Sequence, residues 1–437
     1  MTEPTDLGVV EAAEAIRAGT LKAADLVEAS LARIAATDGE LLAWAMVDGA
    51  GARAAARALD DDIRGGAAAR PLHGVPIGIK DIVDVAGLPT TNGAPAFAHT
   101  HPTRDATLVA RLRAAGAVIL GKTVATPFAY RDPAATRNPW ALDRTPGGSS
   151  SGSAAAVAAR HVPAASGTQT HGSMLRPSAF CGVVGLKGAH GEVPLEGVLP
   201  LAPSLDHPGP IARSVADAAL LMSVLTGRPV VVPPRGGPRL VVPAELLELV
   251  DPASREHIEE LLRSFEGAGA VVVRAGLPES VPAVVEAGWT VLAAEAAAQH
   301  ATWFAAHSDE YAPQIAGLVR AGLERTPADV DDAHRVRATF RAALRPWLAS
   351  FDALLSPVAP GAAPRRGEGT GDPTLCAPWS YAGLPAIAIP TGLDAGGLPL
   401  SIQLVSGPRS LDRLLGVAAW CERVADFHDR PGSRPAE

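Results

Sequence analysis

The chain has 437 residues, enough for two average domains or one large α/β core. Hydrophobic residues make up 47% and charged residues 19%, which excludes a disordered chain, and a net charge of −8 leaves no basic excess for nucleic acid or an anionic membrane. Three cysteines (Cys181, Cys376 and Cys421), far apart and without CxxC spacing, exclude a disulfide framework or a zinc knuckle and fit a reducing cytosol.

The opening residues carry acids and no apolar h-region, so no signal peptide is expected. No uninterrupted apolar stretch approaches the roughly 18 residues of a membrane helix. Two short helices come first, with Thr20 placed to cap the second, where Val27, Leu31 and Ile34 recur at helical spacing. From Leu72 the period shortens, and "LHGVPIGIKDIVDVAG" reads as a strand or hairpin closed by Gly87. "ATLVARLRAAGAVILGKT" reads as helix, glycine break and buried strand, the mark of an α/β unit. "SAAAVAAR" is a helix of small residues. Arg255 to Phe265 is another, with Ile258, Leu261, Leu262 and Phe265 on one face. Helical segments fill Pro282 to Ala349, and strands return in "FDALLSPVAP", "LPAIAIP" and "LPLSIQLV" around the loop Pro360 to Pro373. With no repeat and no linker, residues 1–437 read as one domain.

"TPGGSSSGSAAAVAAR" (Thr145 to Arg160) demands a reading of its own. A linker is disfavoured because the run enters an alanine helix directly. Gly148 to Gly152 matches G-x-S-x-G, but the stretch before it is a poor strand, which that nucleophile turn requires. The third reading pairs it with a second turn, "GTQTHGSMLRP". There Thr170, His171, Gly172 and Ser173 can present consecutive amides around the Ser173 hydroxyl. Such a serine needs a base, and Lys80, in the otherwise apolar "GVPIGIKDIV", is the candidate if burial lowers its pKa from about 10.4 toward 7–8.

At these residues the sequence resembles the amidase signature family of serine hydrolases. "LHGVPIGIKDIVDVAGLPTTNG", "TPGGSSSGSAAAVAA", "GTQTHGSMLRPSAFCGVVGLK" and "SLDHPGPIARSVADAALL" carry the likeness, with "YAGLPAIAIPTG" and "GLPLSIQLVSGP" near the end. The resemblance implies an α/β fold with a single large mixed sheet flanked by helices on both faces. Its signature core would span about 72–225, a variable helical part about 230–350 and C-terminal strands about 351–425. It implies Ser173 as nucleophile, Ser149 as bridging serine and Lys80 as base, with a cis peptide between Gly148 and Ser149. The amides of Thr170, His171, Gly172 and Ser173 would form the oxyanion hole. Gly148, Ser150, Asp81 and Arg176 would support the site, Asp81 by bonding backbone or positioning Lys80.

The chain departs from the family's common D-[ST]-G-G-S-I-R loop at Gln169 and His171, and its arginine stands one place later, at Arg176. The usual GKTN and EF residues become Val124, Thr126 and Pro127 ahead of Phe128, and the usual arginine of GRV becomes Glu192. Thr126, Phe128 and Glu192 are therefore taken as substrate-pocket positions. Blander readings go to His99 and His101 as exposed loop residues, to Asp206 as structural and to Cys181 as core. The expected activity is hydrolysis of the C–N bond of a small linear amide or carbamate (urethane) through an acyl-enzyme, with esters as side substrates. No cofactor or metal is expected, nor a nucleic-acid or membrane partner, and a homodimer stays open; the cytoplasm is the expected location. The alternatives are the A subunit of a glutamine-dependent amidotransferase, which the missing GKTN and EF residues disfavour, and a G-x-S-x-G esterase.

Overall fold

The computed structural model describes residues 3–94, 100–408 and 410–432. Among them, eleven strands form one mixed sheet: β1 (Trp44–Val47), β2 (Pro76–Lys80), β3 (Val118–Thr123), β4 (Ala164–Gln169), β5 (Val184–Lys187), β6 (His207–Ala212), β7 (Arg239–Val242), β8 (Val271–Arg274), β9 (Ala353–Pro357), β10 (Ala386–Leu393) and β11 (Pro399–Val405). The spatial order is β1-β3-β2-β4-β6-β5-β10-β11-β9-β7-β8. β2 runs parallel to β3 and β4, and β7 parallel to β8 and β9, while the remaining pairs are antiparallel.

Side-chain alternation divides the sheet between two cores. Ile387 and Ile389 of β10, Leu355 of β9 and Leu240 of β7 enter one core, while Ala386 and Ala388, Leu354 and Val241 enter the other. β9 and most of β10 are buried on both faces, so they read as nearly continuous apolar runs instead of alternating ones. The second core also takes the helix Val281–His307 and its neighbours Pro313–Leu323 and Pro327–Ala349. The segment Val281–Glu310 is long and apolar enough to cross a membrane, yet more than half of its most apolar window is buried against the fold, as in a core helix.

The helix Pro252–Gly267 follows its sequence signals: Asp251 accepts from the Ser254 amide at 2.7 Å, a proline starts the first turn, and Ile258, Leu261, Leu262 and Phe265 are buried. The alanine helix Ser151–Ala158 is buried along its whole length. Small residues are required there, since a Cβ on Gly152 would lie 2.2 Å from the Ala43 carbonyl oxygen.

Of the two readings of Leu72 to Gly87, the strand holds and the hairpin does not: Pro76–Lys80 is β2, and its partners β3 and β4 are parallel and distant in sequence. One local expectation fails. Thr20 does not cap the second helix, which runs Ala23–Leu41 from Lys22; its hydroxyl instead donates to the Ala15 carbonyl and closes the first helix. The stretch before the serine run forms no strand, as expected, and holds only isolated bridges at Asn138–Ala141 and Arg144–Arg365.

Candidate active site

Ile77 and Ile79 of β2 point into the first core, so alternation turns Lys80 to the opposite face. Lys80 is fully buried, and its Nζ donates to Ser149 Oγ at 2.7 Å and to Thr168 Oγ1 at 2.7 Å. Its backbone amide donates to Ser166 Oγ at 3.0 Å. Both contacts of the amine are neutral hydroxyls. Burial therefore prevails and lowers the Lys80 pKa to about 7, against a smaller upward pull from the Asp206 carboxylate. An amine at that value is substantially free base at neutral pH and can accept a proton.

Ser149 follows a cis peptide bond from Gly148. The preceding Gly147 has φ +82°, a left-handed conformation that favours glycine. Arg176 Nη2 donates to the Gly148 carbonyl at 2.8 Å, and its Nε donates to the Thr370 carbonyl at 2.7 Å. The Thr126 amide donates to the Ser149 carbonyl at 3.1 Å. A Cβ on Gly148 would lie 2.8 Å from Thr370 Cγ2 and 2.9 Å from Thr126 Cγ2, so glycine is needed. Ser150 sends its amide to the Ser173 carbonyl at 3.1 Å, which ties the serine run to the second turn. Ser151 and Ser153 satisfy buried backbone at the helix start: Ser151 Oγ donates to Gly147 O at 2.6 Å and Ser153 Oγ to Ser166 O at 2.8 Å.

The second turn leaves the end of β4. Gln169 Oε1 accepts from the Met174 and Leu175 amides at 3.1 and 2.9 Å, and its Nε2 donates to Ser380 Oγ at 3.1 Å. Glutamine thus anchors the loop without a carboxylate. The carbonyls of the turn face the protein: His171 O accepts from Ser380 Oγ, Gly172 O from the Arg176 amide and Ser173 O from Ser150. Among the described residues, no carbonyl accepts from the amides of Thr170, His171, Gly172 or Ser173. The four donors and the partly exposed Ser173 line a cavity of about 770 Å³, whose opposite walls include Tyr130, Arg131, Val285, Trp289 and Leu292. The His171 ring packs edge-on against Trp289 at 6.1 Å. Burial lowers its pKa to about 4, outweighing the Gly288 carbonyl, so the ring is neutral at pH 7.

Several expected residues stand elsewhere. Asp81 does not position Lys80: successive strand side chains point oppositely, and Asp81 pairs with Lys122 at 2.9 Å, both side chains 1% exposed. It also accepts from the Thr91 amide. Glu192 is outside the cavity, because its carboxylate accepts from the Ala189 amide and pairs with Arg228 at 2.7 Å. Phe128 is buried against Tyr311, His300 and Trp303, and Thr126 packs on Gly148; the cavity wall is formed by the next residues, Ala129 to Arg131. Cys181 is buried, His101 is exposed, and His99 lies outside the described residues.

Sequence reasoning missed Thr168, Lys122 and the position of Asp206. A signal existed for the first: Ser166 and Thr168 fall at the strand period of two, which places both hydroxyls on one face of β4. Asp206, read from the sequence as structural, is buried next to the turn and accepts from Thr170 Oγ1 at 2.6 Å.

A buried lysine bonded to a serine after a cis peptide, beside a turn of free amides that carries a second serine, is an arrangement suited to acyl transfer. The amidase family model matches residues 25–415, and the chain belongs to that family, the amidase signature enzymes. It is 35% identical to the A subunit of the glutamyl-tRNA(Gln) amidotransferase of Roseiflexus castenholzii, over 98% of this chain and 98% of that protein. A crystal structure described as an amidase superposes with a TM-score of 0.90 at 34% identity, covering 95% of this chain and 99% of that one. The peptide amidase of Stenotrophomonas maltophilia superposes at 0.86 with 31% identity, covering 98% of both chains.

Proposed function

We propose that the protein hydrolyses the C–N bond of a small linear amide or carbamate, in the cytoplasm and without a cofactor. One observation carries this reading: Lys80 Nζ, fully buried, bonds Ser149 Oγ at 2.7 Å with no carboxylate among its hydrogen-bond partners. Free-base Lys80 takes the proton of Ser149 as Ser149 takes that of Ser173, and Ser173 Oγ forms a bond to the substrate carbonyl carbon. The oxyanion meets the amides of Thr170 to Ser173. The protons then return: Lys80 reprotonates Ser149, Ser149 protonates the leaving nitrogen, and the C–N bond breaks. Water attacks the acyl-enzyme by the same route and frees the acid, or from a carbamate a carbonic half-ester that loses CO₂. Protonating nitrogen is the demanding part for an amide, which is why a two-serine relay suits amides and also serves esters.

A second reading is the A subunit of a glutamine-dependent amidotransferase. Its support is the full-length similarity to proteins of that name, at 35% and 36% identity in two bacteria. The two readings share the acylation step and differ in what intercepts the acyl-enzyme or the released ammonia, and in the need for partner chains. Purified protein alone should be offered anilides, primary amides including glutamine, aryl carbamates and p-nitrophenyl esters. Turnover of an amide or carbamate by the lone chain supports the hydrolase. Activity that is confined to glutamine and appears only with partner proteins and charged tRNA supports the amidotransferase.

A further inference from the structure

Asp206 is a buried carboxylate that the proposed relay does not use. The antiparallel register of β4 and β6 pairs Gln169 with His207, which sets Thr170 opposite Asp206. Asp206 Oδ1 accepts from Thr170 Oγ1 at 2.6 Å, and Oδ2 accepts from the amides of Leu201 and Ala202 at 2.9 and 3.0 Å. Three donors converge on its two oxygens, which suits the ionised acid. Burial works against these donors and raises its pKa to about 7.

Resting on the relay proposed above, we infer that Asp206 is a positioning residue for acyl transfer. It fixes the first residue of the amide-donor turn through the Thr170 hydroxyl, and its carboxylate is the counter-charge for the ammonium that forms on Lys80. As Ser173 attacks, positive charge develops at Lys80 and negative charge at the carbonyl oxygen above the turn. Asp206 serves both ends, by charge at the first and by geometry at the second. The other ionisable groups around this pair are already engaged. On β3, Lys122 is paired with Asp81, and the Asp84 carboxylate also favours its charged form. On β6, His207 Nδ1 faces the Leu205 and Gln169 carbonyls, and burial holds the ring neutral. From the helix Val281–His307, Glu295 accepts from the Ser204 amide at 2.9 Å.

The test uses the full chain carrying Asp206→Asn, Thr170→Val or Thr170→Ser. It reads the rate of fluorophosphonate labelling at Ser173 against pH, with kcat and KM on any amide turned over and folding followed by circular dichroism. Asp206→Asn should slow labelling about tenfold or more and move the midpoint of the pH profile downward, because an ammonium without its counter-charge releases its proton more readily. Thr170→Val should lower kcat about tenfold with KM held and leave the midpoint in place, and Thr170→Ser should restore the rate. Wild-type rate and midpoint in folded Asp206→Asn overturn the inference; should that variant not fold, an unchanged rate in Thr170→Val does so. A wild-type protein that labels elsewhere than Ser173 sinks the proposed nucleophile itself, a result distinct from the failure of Asp206 alone.

Discussion

Two lysines lie on adjacent parallel strands, both with essentially no exposure, and they are held in opposite ways. Lys122 of β3 meets a carboxylate, Asp81, at 2.9 Å, along with the Thr90 hydroxyl and the Pro89 carbonyl. Lys80 of β2 meets two hydroxyls. Burial lowers the pKa of each; at Lys122 the contacting Asp81 carboxylate opposes that shift, whereas Lys80 has only the more remote Asp206. A buried lysine with a carboxylate in contact is one half of an ion pair, and one with only hydroxyls in contact suits the base proposed above. The difference is made by a single alternation of the strand, since Asp81 follows Lys80 in sequence and turns to the other lysine.

The largest effect that bears on this contrast lies at the group the base serves. Ser173→Ala should remove hydrolysis of every substrate by about 10⁴-fold or more, and a sulfonyl fluoride should add once, at Ser173. An adduct on Ser150 would restore the G-x-S-x-G reading and detach Lys80 from the chemistry. Next comes Lys80 itself. Lys80→Arg keeps a cation that cannot deprotonate, so activity should fall about 10³-fold, nearly as far as in Lys80→Ala. The loss should be greater for an anilide than for a p-nitrophenyl ester, whose leaving group needs no proton. In the wild type, kcat/KM should rise with pH through about 7, where Lys80 becomes the free base. Near-wild-type anilide turnover by Lys80→Arg would make this lysine as electrostatic as Lys122. The neutral ring of His171 would then be the next candidate base.

Lys122 should answer in stability instead. Lys122→Met leaves the Asp81 carboxylate buried and unpaired, a loss of about 3–5 kcal/mol that lowers Tm and soluble yield. Protein recovered at low temperature should keep the wild-type pH midpoint of kcat/KM. Movement of that midpoint by as much as a unit would mean that the two lysines titrate as one system, and the contrast between them would fail.

The sequence carried much of this site and little of its wiring. Glycines before a helix, a lysine in an apolar strand and a serine within a turn are local features, so Lys80, Ser149 and Ser173 stand out as candidates from the sequence alone, and the helix with Ile258, Leu261, Leu262 and Phe265 on its buried face was legible outright. The pairings were not. Asp81 with Lys122 and Asp206 with Thr170 depend on which strands become neighbours, and β2 takes partners distant in sequence, where its own residues allowed either a strand or a local hairpin. The pocket positions failed for a related reason. Phe128 follows the departures at Val124 and Pro127, and Glu192 is itself one, but their side chains turn to an aromatic cluster and to Arg228, and a left-handed turn at Phe128 and Ala129 delivers Tyr130 and Arg131 to the cavity instead.

The smallest expected effect separates the two lysines in sign. The folded-state pKa of Lys80, about 7, lies below its unfolded value of about 10.4, so between these values the unfolded chain binds the extra proton. Stability contributed at this position therefore rises with pH across that window and is lost as pH falls toward 7. Lys80→Met keeps the length and apolar stem of the side chain and removes the cost of burying a protonatable amine. It also leaves the Ser149 and Thr168 hydroxyls without their partner, which offsets most of the gain. An inactive protein with Tm raised by about 1–3 °C at pH 7.5 is expected, with the gain shrinking toward pH 9.5 as wild-type Lys80 ceases to favour the unfolded chain. Lys187, also buried with a pKa near 7, is common to both proteins and cancels in the difference. Scanning calorimetry at the two pH values decides the matter. A Tm lowered equally at both would show that Lys80, like Lys122, holds the fold together, and that its place beside Ser149 is structural.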